Sequence, residues 1–195
     1  MRLQIYNKWE KSRNENFINL LEFNPNAKLL DIGCGNGNFT LKVKNKIGCS
    51  AVYGIETYDP FIKEAEEKGI LIIKYDLNKF PYPIENESFD VIISNQVIEH
   101  LYYPVKFMKE IYRILKPNSY AVISTENLSS WDNITALLLG YFPFSMELDG
   151  GLKLGNPLSP HYKEDYNEDY KEKYPPHTRI VTWKTFEGPG EIHRI

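Results

Sequence analysis

The sequence predicts a doubly wound α/β domain built on a mainly parallel sheet, and three observations lead there. Apolar, β-type runs alternate with stretches of helical period from Ala27 to Thr125, the rhythm of βαβ units joined by right-handed crossovers. Val91-Ile92-Ile93 is continuously apolar, as a strand covered on both faces should be. Leu29-Leu30-Asp31-Ile32 runs straight into Gly33-Cys34-Gly35-Asn36-Gly37. Glycine has no Cβ and tolerates positive φ, so this loop lets the backbone turn tightly or lie close to a bound molecule.

The elements follow in order. Phe17, Ile18, Leu20 and Leu21 sit at helical spacing before Asn24-Pro25-Asn26, so a helix precedes the first strand and packs its apolar stripe on the domain. Ala27 to Ile32 is strand 1, and a helix from Gly37 to Ile47 grows out of the glycine loop. Strand 2 is Ala51 to Glu56, and Pro60 suits the first turn of the next helix. Strand 3 is Ile70 to Lys74 and strand 4 is Phe89 to Ser94. Pro104 opens a helix with Phe107, Ile111 and Ile114 on one face, which Lys116-Pro117-Asn118 ends before strand 5, Ser119 to Thr125. Asn118 suits that turn because asparagine tolerates the left-handed conformation. A last helix is expected over Ser129 to Leu139, and residues 147–160 read as a Gly- and Pro-containing loop.

The chain of 195 residues reads as a single domain: an N-terminal helix in 1–26, a core in 27–125, and an acceptor or lid region with a tail in 126–195. With 42% hydrophobic and 25% charged residues it belongs with globular rather than disordered proteins. A net charge of −3 gives no basic surplus to attract nucleic acid or an anionic membrane. No apolar run approaches the roughly 18 residues of a membrane helix. Cys34 and Cys49 fit neither a metal-ligand spacing nor a disulfide framework, so no metal is expected and a cytoplasmic location is the default.

Asp31-Ile32-Gly33-Cys34-Gly35-Asn36-Gly37 resembles the first motif of class I S-adenosylmethionine-dependent methyltransferases, and the resemblance covers residues 27–125 well and 126–187 more loosely. The resemblance implies the Rossmann-like methyltransferase fold, S-adenosyl-L-methionine as cofactor, and methyl transfer to a small or medium acceptor. By the same resemblance Gly33 and Gly35 line the methionine and ribose part of the cofactor, Gly37 begins the following helix, and Asp31 orients the loop. Glu56, at the end of strand 2, takes the ribose hydroxyls, and Thr57 and Tyr58 lie against the adenine. Asp76 receives the adenine amino group beside the Leu77 amide. Asn95 and Gln96, in a stretch similar to the fourth motif of the small-molecule branch, face the sulfonium. An NAD site would place glycine where Asn38 stands.

Methyl transfer from a sulfonium leaves a thioether that needs no acid, so orientation and exclusion of water can supply much of the acceleration. A hydroxyl or acidic carbon acceptor would need a base, with His100 the first candidate and His177 the second. Tyr6, Trp9 and Trp131 are aromatic groups able to face a sulfonium, though core or surface packing explains each more readily. Tyr162, Tyr166, Tyr170 and Tyr174 recur every four residues and read either as a solvated excursion or as a short helical lid. The break at Gly188-Pro189-Gly190 leads to the expectation that the family's usual last two strands are lacking. Strand 5 would then have an open edge, covered by the His161–Ile195 tail or by a second copy in a homodimer. The alternative function is a shortened relative that binds the cofactor and works through a partner chain.

Overall fold

The computed structural model describes residues 2–140 and 143, with side chains from Glu10 onward. Helix α1 (Arg2–Asn19) precedes strand β1 (Lys28–Ile32), and α2 (Asn38–Ile47) leads to β2 (Ala51–Glu56). Helix α3 (Asp59–Glu67) leads to β3 (Leu71–Lys74), and β4 (Phe89–Asn95) follows a long loop. A single 3-10 turn (Ile98–His100), α4 (Pro104–Ile114), β5 (Leu115–Ser124) and α5 (Trp131–Leu138) complete the described order. Pro60 and Pro104 stand in the first turns of α3 and α4, where a missing N–H leaves no helical bond unmade.

The five strands form one parallel sheet in the order β3-β2-β1-β4-β5. The chain winds outward from β1 to β3, then returns to β4 on the other side of β1. Ligands of open α/β sheets bind in the crevice this reversal opens at the carboxyl ends of the strands. Alternate side chains of each strand feed opposite layers. Leu29, Val91 and Ile93 join Phe17, Val43 and Ile47 on one face, while Leu30, Ile32 and Ile92 join Phe107, Ile111 and Ile114 on the other. Burying a side chain of this size fully contributes about 1.5–3 kcal/mol. The two filled faces anchor the strands whose carboxyl ends form the sheet's carboxyl edge.

Two boundaries differ from expectation by more than one residue. Strand β5 starts at Leu115, which pairs with Phe89, rather than at Ser119. The register then slips before Val91 meets Tyr120; Asn118 takes φ 61° within the slip, and Lys116 Nζ pairs with Asp90 at 2.7 Å across it. Helix α5 starts at Trp131 because Ser130 caps it, its hydroxyl accepting the Asn133 amide at 3.3 Å. The expected loss of the last two strands, the tyrosine series and the His161–Ile195 tail lie outside the described residues.

Candidate functional site

The site begins where β1 ends. The amides of Gly33 and Cys34 both donate to the carbonyl of Ile55, at 2.9 and 3.2 Å, which carries the loop over the end of β2. Gly33, Gly35 and Gly37 have φ of 77°, 52° and 78°, so all three use the left-handed region. Their surroundings separate their roles. A Cβ on Gly33 would lie 2.5 Å from Val97 Cγ2, and one on Gly37 2.5 Å from Ile70 Cδ1. A Cβ on Gly35 would meet only Phe61, at 4.0 Å. Gly33 and Gly37 thus allow close packing, whereas Gly35 leaves bare backbone facing open space. Gly37 is also the residue from which α2 starts.

Glu56 holds this loop. Its Oε1 accepts the amides of Thr57 at 2.6 Å and Tyr58 at 2.9 Å, and its Oε2 accepts the amide of Gly35 at 3.1 Å. A carboxylate offers about four acceptor positions, so one on Oε2 is left for a ligand hydroxyl. Asp31, 2% exposed, lies beneath the loop and accepts the Thr40 hydroxyl at 2.6 Å, tying β1 to α2. Burial pushes its carboxyl up to about 7, against the lowering effect of Thr40, and the charge of Glu56 adds to the rise. Burial, with Asp31 and Glu56 nearby, pushes the Cys34 thiol far above the ordinary range, which disfavours the reactive thiolate.

The far side of the site is the loop after β3. Asp76 Oδ1 accepts the Asn78 amide at 2.9 Å, and its carbonyl accepts Lys79 N at 3.0 Å, so this acid also shapes a turn. The Tyr82 hydroxyl donates to the Leu77 carbonyl at 3.0 Å. Tyr58 meets Phe61 edge to face with centroids 5.0 Å apart.

Beyond β4 the carboxyl edge is polar. Asn95 Nδ2 donates to Asn14 Oδ1 on α1 at 3.3 Å, and Ser124 Oγ donates to Asn95 Oδ1 at 2.5 Å. Gln96 takes φ 59°, an uncommon conformation for a residue with a side chain. With its amide nitrogen turned to its acidic neighbours, it donates to Glu126 Oε1 at 2.7 Å and Glu99 Oε1 at 3.1 Å. Burial raises the Glu99 carboxyl; its own backbone amide and His100 oppose the shift, and Glu126 adds to it. His100 is half-buried on the 3-10 turn, its amide donating to the Val97 carbonyl at 2.9 Å.

A cleft of about 380 Å³ opens over the loop, with Gly33, Gly35 and Asn36 on its floor, Lys42 and Phe61 at its sides and Glu10 and Asn14 of α1 closing it. Its volume is within the range of small-molecule sites. Of the residues expected from sequence, Gly33 and Gly35 line this cleft and Glu56 bonds to its floor; His100 does not line it. His177 lies outside the described residues, as do the side chains of Tyr6 and Trp9. Trp131 is exposed at the start of α5. The sequence reading missed Arg13, Asn14, Ser124 and Glu126. Only the rule that ligands meet the carboxyl edge could have drawn attention to Ser124 and Glu126, at and just beyond the end of β5.

Residues 30–123 match the family model described as "Methyltransferase domain". That stretch, just under half of the chain, resembles a methyltransferase domain. That domain has the fold of the class I S-adenosylmethionine-dependent enzymes, and its family implies S-adenosylmethionine as cofactor. The mitochondrial ubiquinone biosynthesis O-methyltransferase of Dictyostelium discoideum is 30% identical over 160 residues, 74% of this chain and 48% of the relative. The malonyl-[acyl-carrier protein] O-methyltransferase of Calditerrivibrio nitroreducens is 28% identical over 146 residues, 72% of this chain and 57% of the relative. The chain thus spans about half the length of the curated relatives it matches. Among solved structures, an S-adenosylmethionine-dependent methyltransferase from Mesorhizobium loti superposes with TM-score 0.53 at 23% identity, covering 58% of this chain and 53% of that one. A Thermotoga maritima methyltransferase, a possible histamine N-methyltransferase, gives 0.54 at 22%, covering 70% and 64%. These likenesses concern the methyltransferase fold alone. Among the described residues no helix is long and apolar enough to cross a membrane, and no three His, Cys, Asp or Glu side chains gather as metal ligands.

Proposed function

We propose that this chain transfers the methyl group of S-adenosylmethionine to a small or medium acceptor. The observation that carries the reading is the bare Gly35 backbone, with positive φ and open space where a Cβ would stand, tied through its own amide to Glu56. The residues present suit such a donor. It has no phosphate, so the Glu56 carboxylate beside the loop faces no polyanion, and the donor's cationic sulfonium and ammonium outweigh its one carboxylate. Bound there, the donor supplies a methyl group activated on sulfur.

In this reading Gly33 and Gly35 approach the donor through backbone, and Glu56 offers its remaining Oε2 position to a ribose hydroxyl. Thr57, Tyr58, Asp76 and Leu77 form the adenine side. Asn95 and Gln96 hold the edge where the sulfur would lie, and Asp31 and Gly37 set the loop and the start of α2. His100, on the 3-10 turn beyond β4, is the candidate base for an acceptor that must lose a proton. His177 is the second candidate. Residues 1–26, 27–125 and 126–195 divide into helix, donor core and acceptor region. The two curated relatives are O-methyltransferases by name, which makes hydroxyl and carboxyl oxygens the first acceptors to screen. A cytoplasmic setting belongs to the same proposal.

Isothermal titration with S-adenosylhomocysteine tests the donor reading, and a screen of oxygen acceptors with labelled donor tests the transfer. Saturable binding and label in at least one acceptor are expected. Binding without transfer to any acceptor would move the reading to the alternative, a donor-binding subunit that works through a partner. Among the described residues β4 is the only strand paired with β5, which supports a second copy pairing at its outer edge. Light scattering that reads the mass of one chain would contradict that pairing.

A further inference from the structure

Helix α1 stands between two clefts. Glu10 and Asn14 face the donor cleft, while Ser12, Arg13 and Asn16 face a second one against Val122, Ile123 and Ser124 of β5. Near its carboxyl end the helix is held firmly: Phe17 is 4% exposed and meets Phe39 edge to face at 5.3 Å. Just beyond the helix, the Glu22 amide donates to the Tyr120 hydroxyl at 3.0 Å. One turn nearer the amino end the hold is polar and thin. Arg13 Nη1 meets Glu126 Oε1 at 3.2 Å with both side chains 36% exposed, and Asn14 accepts from Asn95 at 3.3 Å. Arg13 Nε is buried without a partner among the described residues, so the guanidinium is only partly satisfied where it sits. Glu126 Oε1, which Arg13 grips, is also the oxygen that Gln96 reaches at 2.7 Å, and Glu126 therefore has a second partner when Arg13 lets go.

We propose that Arg13 is a positioning residue: its pair with Glu126 holds the middle turn of α1 at the carboxyl edge of β5, which sets Glu10 and Asn14 as the wall of the donor cleft. The helix swings about the Phe17 anchor when the pair parts, and the donor leaves through the gap. The arrangement links the two sides of the site through one helix, because the Arg13–Glu126 pair stands on the β5 side and the wall it sets stands on the glycine-loop side. It rests on the donor reading of the cleft.

The test compares the full chain with Arg13→Ala and Arg13→Lys, by hydrogen exchange of α1 amides and by stopped-flow release of S-adenosylhomocysteine. A half-exposed pair of this kind corresponds to a change of about two- to fivefold. Arg13→Ala should raise both exchange before Phe17 and the release rate by that factor, with the sheet's exchange unaltered. Arg13→Lys, which keeps a cation within reach of Glu126, should restore both. Release from Arg13→Ala at the wild-type rate, or exchange of α1 at the wild-type rate, overturns the proposal. Failure of wild-type protein to bind S-adenosylhomocysteine overturns the donor reading and the gating with it, so the two failures are told apart.

Discussion

The carboxylate of Glu56 and the amide of Gly35 meet at 3.1 Å, which ties the glycine loop to the end of the neighbouring strand. All three bonds that Glu56 accepts come from backbone amides, of Gly35, Thr57 and Tyr58. Glu56→Gln keeps the shape but turns a donor toward at least one of those amides. A buried donor left unmatched costs about 1–3 kcal/mol. Urea unfolding should show a loss of that size, and the Gly35 amide should exchange faster. Unaltered stability would mean that the loop does not depend on this bond.

Gly33 and Gly35 should respond differently to alanine. Both sit at positive φ, which costs a side chain about 1–2 kcal/mol. Gly33→Ala also drives a Cβ to 2.5 Å from Val97 Cγ2, an overpacking of roughly 1–3 kcal/mol more. Adding Val97→Ala should recover part of that second loss. Gly35→Ala should carry only the backbone cost yet weaken S-adenosylhomocysteine more than its stability loss would suggest. Equal losses of stability at the two positions, with no recovery through Val97, would contradict this division.

Asp31 makes stability depend on pH near neutrality. Its carboxyl is raised from 3.8 to about 7 in the folded chain, chiefly by burial. Between those values the folded state holds a proton the unfolded state has released, so stability falls as pH rises through that window and levels off above it. The steepest contribution of one such group is about 1.4 kcal/mol per pH unit. Urea unfolding from pH 5 to 8 should therefore slope less for Asp31→Asn than for wild type. Parallel slopes would contradict the buried-carboxyl account.

Arg113 organises the loop beyond β3. Its guanidinium makes two bonds to Glu110, at 3.0 and 2.7 Å, and donates to the carbonyls of Ile84 at 2.7 Å and Tyr82 at 3.2 Å. It also holds the Glu110 carboxyl below its usual range, so that pair's stabilisation is present above the usual value and lost as pH falls below it. Arg113→Ala should destabilise by about 1.5–3 kcal/mol and loosen the segment whose Tyr82 hydroxyl bonds Leu77. Arg113→Lys should rescue little, since lysine lacks the planar fork. Full rescue by lysine in thermal unfolding would show that charge alone matters there.

Much of this architecture is legible in local sequence. β2 runs over Ala51–Glu56, as read, and the glycines after β1 do take left-handed backbone, which glycine adopts at the least cost. The early start of β5 was hidden because Leu115 pairs with Phe89 across a slip that Lys116-Pro117-Asn118 disguises as a turn. The polar edge was hidden for a different reason. Asn14, Asn95, Ser124 and Glu126 come together only through the order of strands and the placement of α1, and no spacing within one segment records a meeting between residues so far apart.

The most direct measurement is calorimetric titration of S-adenosylhomocysteine into the full chain and into Gly35→Val, with circular dichroism to establish that both are folded. Saturable heat for the wild-type chain, abolished by the valine in a folded variant, is the expected result. Absence of heat at millimolar ligand for the wild-type chain, or equal affinity in the two proteins, would contradict the assignment of the glycine-loop cleft to the methyl donor.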